Sequence, residues 1–182
     1  MTELKYKIIV AGEGGVGKTS CVRRAVDNVF KGNYIGTIGV DITEKTVTDE
    51  DTGEKVSMSI FDLNGQEYFR NLRKRMFNKA SGAILCFDLT KQYTFDKLKN
   101  WIDDIREELK KDPVFILLGN KLDLLEEEHG NQPVITEEEI LSLAKNINAP
   151  YFQTSAKTGV GIHEVFKEMA LQLLKQSKQH NP

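Results

Sequence analysis

Leu4-Lys5-Tyr6-Lys7-Ile8-Ile9-Val10-Ala11-Gly12-Glu13-Gly14-Gly15-Val16-Gly17-Lys18-Thr19 decides the fold. Leu4, Tyr6, Ile8 and Val10 alternate with Lys5 and Lys7, the period of a strand. A glycine-rich turn follows, and the chain then reads as a helix from about Lys18 to Asn28. Gly12 to Thr19 has the pattern glycine, four residues, then Gly-Lys-Thr. A loop of backbone N–H groups feeding a helix N-terminus is a concave site for an anion. Glycine lets that loop adopt otherwise closed conformations and approach phosphate oxygens closely. Lys18 adds a cation, and the Thr19 hydroxyl is a hard ligand suited to Mg²⁺.

Beyond this unit, Phe30 to Val40 has no clean period and reads as a loop. Ile42–Thr48 and Glu54–Asp62 read as strands joined by the acidic, Gly-containing turn Asp49–Gly53, hence as an antiparallel hairpin. Gly82–Asp88 and Val114–Gly119 are short continuous apolar runs, as expected of strands covered on both faces. Helical spacing appears at Leu98, Trp101, Ile102, Ile105 and Leu109, and again at Ile162, Val165, Phe166, Met169, Ala170, Leu173 and Leu174. Thr136 with Glu139 is a capping box opening a helix to about Ile147. Tyr151–Gln153 is a short last strand. The expectation is a single α/β domain over residues 1–178 with a polar tail at 179–182. Its sheet is mostly parallel and six-stranded, with one antiparallel strand and helices on both faces. Ligands in such sheets sit beyond the carboxyl ends of the strands.

Composition narrows the function. The 182 residues carry 25 Lys+Arg and 27 Asp+Glu, a formal charge of −2, which argues against a protein that coats nucleic acid. Two cysteines, Cys21 and Cys86, build neither a disulfide framework nor a metal site, so a reducing cytoplasmic setting is expected. The longest apolar runs fall far short of the roughly 20 residues a membrane span needs. His129, His163 and His180 show no ligand spacing.

Asn120-Lys121-Leu122-Asp123 follows the buried run Val114–Gly119, on the ligand side. A carboxylate there can accept two hydrogen bonds from the N1–H and exocyclic amine of guanine, which adenine does not offer. Such charge-assisted bonds contribute about 1.5–3 kcal/mol each. An adenine would also leave the carboxylate unpaired, which sharpens discrimination.

The phosphate loop, Thr37, Asp62-Leu63-Asn64-Gly65-Gln66, Asn120–Asp123 and Ser155-Ala156-Lys157 together resemble small GTPases of the Ras superfamily, in order and in spacing, from Lys5 to about Lys175. Tyr34–Asp41 and Gly65-Gln66-Glu67-Tyr68-Phe69-Arg70 look most like the Rab branch. The resemblance implies a P-loop G domain that binds GTP or GDP with Mg²⁺, hydrolyses GTP slowly and acts as a switch in membrane trafficking or signalling.

It implies roles residue by residue. Gly14, Gly15, Val16, Gly17, Lys18, Thr19 and Ser20 would hold the phosphates, with Tyr34 covering them. Thr19, Thr37 and Asp62 would hold the metal. Thr37 and Gly65 would meet the γ-phosphate through their N–H groups, and Gln66 would orient the attacking water beside Lys18. Phe30 would stack on the guanine edge-on, Lys121 along its face, with Asn120 and Asp123 in the base loop. Ala156 would bond the base oxygen, with Ser155 and Lys157 shaping that loop. An exchange factor, a GTPase-activating protein and effectors are the implied partners of a monomer.

Departures from the family pattern stand at Gly36, Asn64 and Phe61. Gly36 is expected to loosen the first switch, and Asn64, in place of the usual Ala, to alter closure of the second. Phe61, in place of a Trp common in Rabs, puts standard Rab effectors in doubt. The tail Gln176–Pro182 has no cysteine to lipidate. Membrane contact is therefore indirect, or made by a tail this sequence lacks. Arg70, Arg73, Lys74, Arg75 and Lys79 read as a solvated helix face or, alternatively, a docking patch for an acidic partner. Glu126–Glu128 read as a solvated loop, and Trp101 as a packing residue of its helix.

Overall fold

Alternation along the first strand gives way to burial on both sides: Leu4 and Tyr6 are half-buried, while Ile8 to Ala11 are fully covered. This strand, β1 (Glu3–Ala11), runs through the middle of the sheet in the computed structural model, which describes residues 3–30, 32, 37–129 and 134–180. Tyr34 and Gly36 lie outside the described residues. After β1 come α1 (Lys18–Asp27) and the hairpin β2 (Val40–Thr48) and β3 (Lys55–Leu63). A 3₁₀ turn, Glu67–Phe69, leads into α2 (Arg70–Phe77), β4 (Gly82–Asp88), α3 (Gln92–Asp96), α4 (Leu98–Leu109) and β5 (Val114–Asn120). The chain then forms α5 (Leu122–His129), α6 (Glu137–Asn146), β6 (Tyr151–Gln153) and α7 (Ile162–His180).

The sheet order is β2-β3-β1-β4-β5-β6. Only β2 with β3 pairs antiparallel; every other pair is parallel. Both the hairpin and the doubly covered strands β4 and β5 appear as the sequence predicts. Successive residues of a strand point to opposite faces. Ile8, Val10, Ile84, Cys86, Ile116 and Leu118 therefore pack under α1 and α7, against Cys21, Phe166 and Met169. Ile9, Ala11, Leu85, Phe87, Phe115 and Leu117 pack under α2 to α6, against Phe77, Leu98, Trp101 and Ile140. Cys21 and Cys86 are free and buried.

Helix starts divide by chemistry. At α6, Thr136 accepts the Glu139 N–H, and Glu139 accepts the Thr136 N–H and hydroxyl. Three glutamates fill its first turn, matching the positive end of the helix dipole. At α1, the residue before the helix is Gly17, no side chain caps it and no acid lies in the first turn. That terminus keeps its N–H groups and its dipole for something else.

Three features were not foreseen. Residues 122–129 form the short helix α5 where Glu126–Glu128 read as a loop; Lys121, at φ 69°, separates it from β5. A five-residue helix, α3, precedes α4. The basic run on α2 is a solvated face only in part: Arg70, Arg75 and Lys79 are exposed, but Arg73 is buried, and Arg70 and Lys74 are both paired with Asp104 of α4.

Candidate nucleotide site

The parallel strands end together, and the loops after β1, β3, β5 and β6 meet in one cleft of about 330 Å³. β1 is flanked by β3 on one side and β4 on the other, so the chain departs in opposite directions from its end. Such a switch point leaves a crevice for a ligand.

At one end lies the loop 12–17. Lys18 is buried, and its Nζ donates to the carbonyls of Gly12 and Glu13, both at 2.7 Å, so the ammonium curls back over the loop. Burial lowers its pKa. Gly17 adopts φ 101°, and a Cβ there would stand 2.2 Å from Asn120 Nδ2. A side chain at that position is excluded twice, by conformation and by space. Val16 is buried and faces away from the cleft; its carbonyl accepts from Asn120 Nδ2 at 2.9 Å. Gly14, Gly15, Gly17, Thr19 and Ser20 line the cleft with Lys18.

Beside them, the Thr19 and Thr37 hydroxyls lie 2.8 Å apart, and Thr19 also donates to Asp62 Oδ2. Thr37 reaches the same oxygen at 3.5 Å. Asp62 Oδ1 is buried with no hydrogen-bond partner among the described residues. Burial pushes the Asp62 carboxyl up, while the Thr19 hydroxyl and the Lys18 charge pull it back. Two hydroxyls and an unsatisfied buried carboxylate oxygen are hard donors, and they fit Mg²⁺. No cluster of three His, Cys, Asp or Glu suited to a metal exists among the described residues.

At the far end, Asn120 braces two loops: its Oδ1 accepts the Ala156 N–H at 3.1 Å while its amide holds Val16. Asp123 is buried to 9% exposure, and its Oδ1 accepts from the Ser155 hydroxyl at 2.5 Å. Lys157 lies 3.6 Å from Asp123 Oδ2 and 3.2 Å from Glu127. Lys121 pairs with the buried Asp88 at 2.7 Å. The Ala156 and Lys157 carbonyls are tied down by Arg24 Nε and Nη2, at 2.9 and 2.6 Å. Phe30 stands partly exposed on the rim.

The predicted residues Thr37, Gly65, Gln66, Asn120, Lys121, Asp123, Ala156 and Lys157 line this cleft with the loop residues; Ser155 stands behind it, holding Asp123. Gly65 abuts the loop so closely that a Cβ would lie 2.4 Å from Gly14 N. Arg23, Val29, Gly32, Leu63 and Leu124 also line it, as does Asn64, which the sequence marks only as a departure from the family pattern. Arg23 was findable: it sits one helical turn beyond Thr19 and Ser20, on the same face.

Sequence reasoning also undervalued Trp101. Its Nε1 donates to Glu13 Oε1 at 3.0 Å, across from the loop, and the Arg73 guanidinium lies 3.9 Å from its ring centre. Arg73 in turn donates from Nη1 to the Gln66 carbonyl at 2.8 Å. Nothing in the spacing of α4 distinguishes this indole from an ordinary core residue.

A crevice with an uncapped helix start, a buried lysine, hard oxygen donors and a buried carboxylate on a separate segment fits the class of G domains. Residues 7–175 match the model of the Ras family. The chain is 34% identical to the Ras-related protein RabC of Dictyostelium discoideum, over 90% of its own length and 81% of that protein's. It is 36% identical to Ras-related protein Rab-37 of Mus musculus (94% and 74%) and 37% identical to Ras-related protein Rab-27A of Homo sapiens (92% and 77%). The chain belongs to the Ras family of small GTPases, close to the Rab branch, a family of GTP phosphohydrolases.

Proposed function

We propose that this chain binds GTP and GDP with Mg²⁺ and works as a switch, its two loops gripping the γ-phosphate and letting go after hydrolysis. One observation carries this: residues of the loop 12–17 with Lys18, and the buried Asp123 contributed by the separate segment after β5, line a single cleft.

The loop N–H groups and Lys18 take the phosphates, with Ser20 beside them. Asp123 takes the guanine edge, the Ala156 N–H its oxygen, and Lys121 and Phe30 its faces. Thr19, Thr37 and Asp62 would hold Mg²⁺, and the ion would supply fixed positive charge to the phosphates. The water oxygen attacks the γ-phosphorus in line, and the bond to the β-phosphate oxygen breaks, leaving GDP and phosphate. Gln66 orients that water, while Lys18 and the loop N–H groups stabilise charge on the leaving side. Neither the phosphate loop nor the first switch contains an arginine to serve from within the chain. Slow turnover, accelerated by a partner's arginine by about 10³–10⁵, follows. Thr37 and Gly65 transmit the γ-phosphate to the switch loops. Exchange factors, activating proteins and effectors of the trafficking kind read those loops in a monomer. Membrane contact is peripheral, and among the described residues no helix is long and apolar enough to cross a membrane.

The test is a side-by-side assay of GTP, GDP and ATP, following binding and phosphate release. Guanine nucleotides bound at micromolar concentration, with slow release from GTP alone, are the expected result. Equal binding of ATP, or no retention of guanine nucleotide, refutes the reading.

A further inference from the structure

Asn64 stands between the two switches and touches both. Its Nδ2 donates to the Thr37 carbonyl, and its Oδ1 accepts the Gln66 N–H at 2.8 Å. Its own N–H donates to Gly39 O at 3.2 Å. The side chain is almost fully buried, so neither amide bond is readily exchanged for water. The residue that the family pattern places here, alanine, makes neither bond.

The choice of partners matters. Asn64 uses the carbonyl of Thr37 and leaves its N–H unused by this contact, and it uses the N–H of Gln66 rather than that of Gly65. The N–H groups proposed to meet the γ-phosphate therefore stay available while the strap is closed. The two peptide units that flank Gln66 are both held, since its carbonyl accepts from Arg73.

We propose that Asn64 is a positioning residue that straps the first switch to the second, so that the loops close and open together and Gln66 is set for the water. The inference rests on the switch reading above. A bond made only with both loops closed favours the ligand that closes them. The net worth of one hydrogen bond corresponds to roughly 2- to 12-fold in an equilibrium. Loss of the strap therefore shifts preference from GTP toward GDP by that order.

Asn64→Ala removes both bonds. Asn64→Ser keeps an acceptor for the N–H two residues on but cannot reach Thr37. Two readouts are taken on the full chain: the ratio of GTPγS to GDP affinity, and the ³¹P spectrum of a bound non-hydrolysable GTP analogue. The ratio is expected to fall roughly 5- to 10-fold in both variants. A second, open set of γ-phosphate lines is expected beside the closed one. Single-turnover hydrolysis slows more in Asn64→Ala than in Asn64→Ser. A purely structural role moves the melting temperature but not the distribution between the two sets of lines. If Asn64→Ala does not fold, Asn64→Ser alone decides. Ratios within twofold of wild type with one closed set of lines overturn the strap. Wild-type protein that holds no guanine nucleotide overturns the switch reading instead.

Discussion

Replacing Trp101 with phenylalanine isolates the contact between the phosphate loop and α4. Phenylalanine keeps an aromatic face under the Arg73 guanidinium, now 3.9 Å from the ring centre, but removes the indole N–H that donates to Glu13 at 3.0 Å. A bond to an ionised acceptor is worth about 1.5–3 kcal/mol. Glu13 is only half-buried and can rehydrate, so the lower end applies. The smaller ring leaves a void of roughly 30–40 Å³ beneath a residue that is 1% exposed, which at about 24 cal/mol per Å³ costs roughly 1 kcal/mol. The single substitution should therefore cost about 2–3 kcal/mol, and a double-mutant cycle with Glu13→Ala separates its parts. The void is the same in both backgrounds and cancels; the bond does not. Urea unfolding at fixed GDP and Mg²⁺ is the assay, since bound ligand adds its own stabilisation. Any effect of Glu13→Ala on nucleotide affinity is present in both arms that carry it. A coupling of about 1.5 kcal/mol is expected. Coupling near zero, with Trp101→Phe costing only the void, refutes the bond to Glu13.

Gln66→Leu should slow phosphate release severalfold or more while nucleotide affinity persists; single-turnover rates equal to wild type remove Gln66 from the water-positioning role. Asp123→Asn should weaken GTP by 10-fold or more and improve xanthosine triphosphate, since one or two bonds of about 1.5–3 kcal/mol change sign with the base. Unchanged base preference in competition binding rejects the guanine assignment. Asp104 anchors α2 through Arg70 at 2.8 and 2.7 Å and Lys74 at 3.2 Å. Burial opposes its ionisation, yet the Arg70 and Lys74 bonds outweigh burial and hold its pKa below the usual carboxylate value. A depressed folded pKa gives stability that is present above the unfolded value, about 3.9, and lost as pH falls through the folded one. Amide exchange in α2 should accelerate below about pH 4, and Asp104→Asn should flatten that acid limb; an unchanged limb excludes the anchor.

What could be read from the chain and what could not divide along a physical line. The order of strands and helices was legible because burial on two faces writes itself as continuous apolar runs, and burial on one as a period of two or 3.6. The cleft was legible because its residues are local: the loop 12–17 is one uninterrupted stretch, and Asn120 to Asp123 another. The contacts of Trp101, Arg73 and Asn64 are not legible in the chain for the opposite reason: their partners are distant in sequence. Trp101 sits at a core position of α4 and is buried, so its polar atom leaves no trace in the pattern. Arg73 lies in a basic run whose neighbours Arg70 and Lys74 are partly exposed, and charge alone does not reveal stacking on a ring contributed by another helix. Asn64 departs from the family pattern, but its partner Thr37 lies 27 positions earlier, beyond any local rule.

These three residues converge on the backbone of Gln66. The Gln66 N–H is held by Asn64 and its carbonyl by Arg73, and Arg73 is held by the ring of Trp101, whose indole reaches Glu13 in the phosphate loop. The segment around Gln66 is thus restrained toward Thr37 on one side and toward α4 and Glu13 on the other. A residue gripped at both polar groups of its backbone keeps fewer conformers than one held at a single point, so less entropy opposes the closed arrangement. The two grips are not equivalent. The Asn64 bond to Thr37 needs the first switch in place, whereas the Arg73 and Trp101 contacts belong to α2 and α4 and need no part of it. Opening of the first switch should therefore leave the α4 side of the second switch held, and the single tryptophan should respond less to loss of the strap than to displacement of α2.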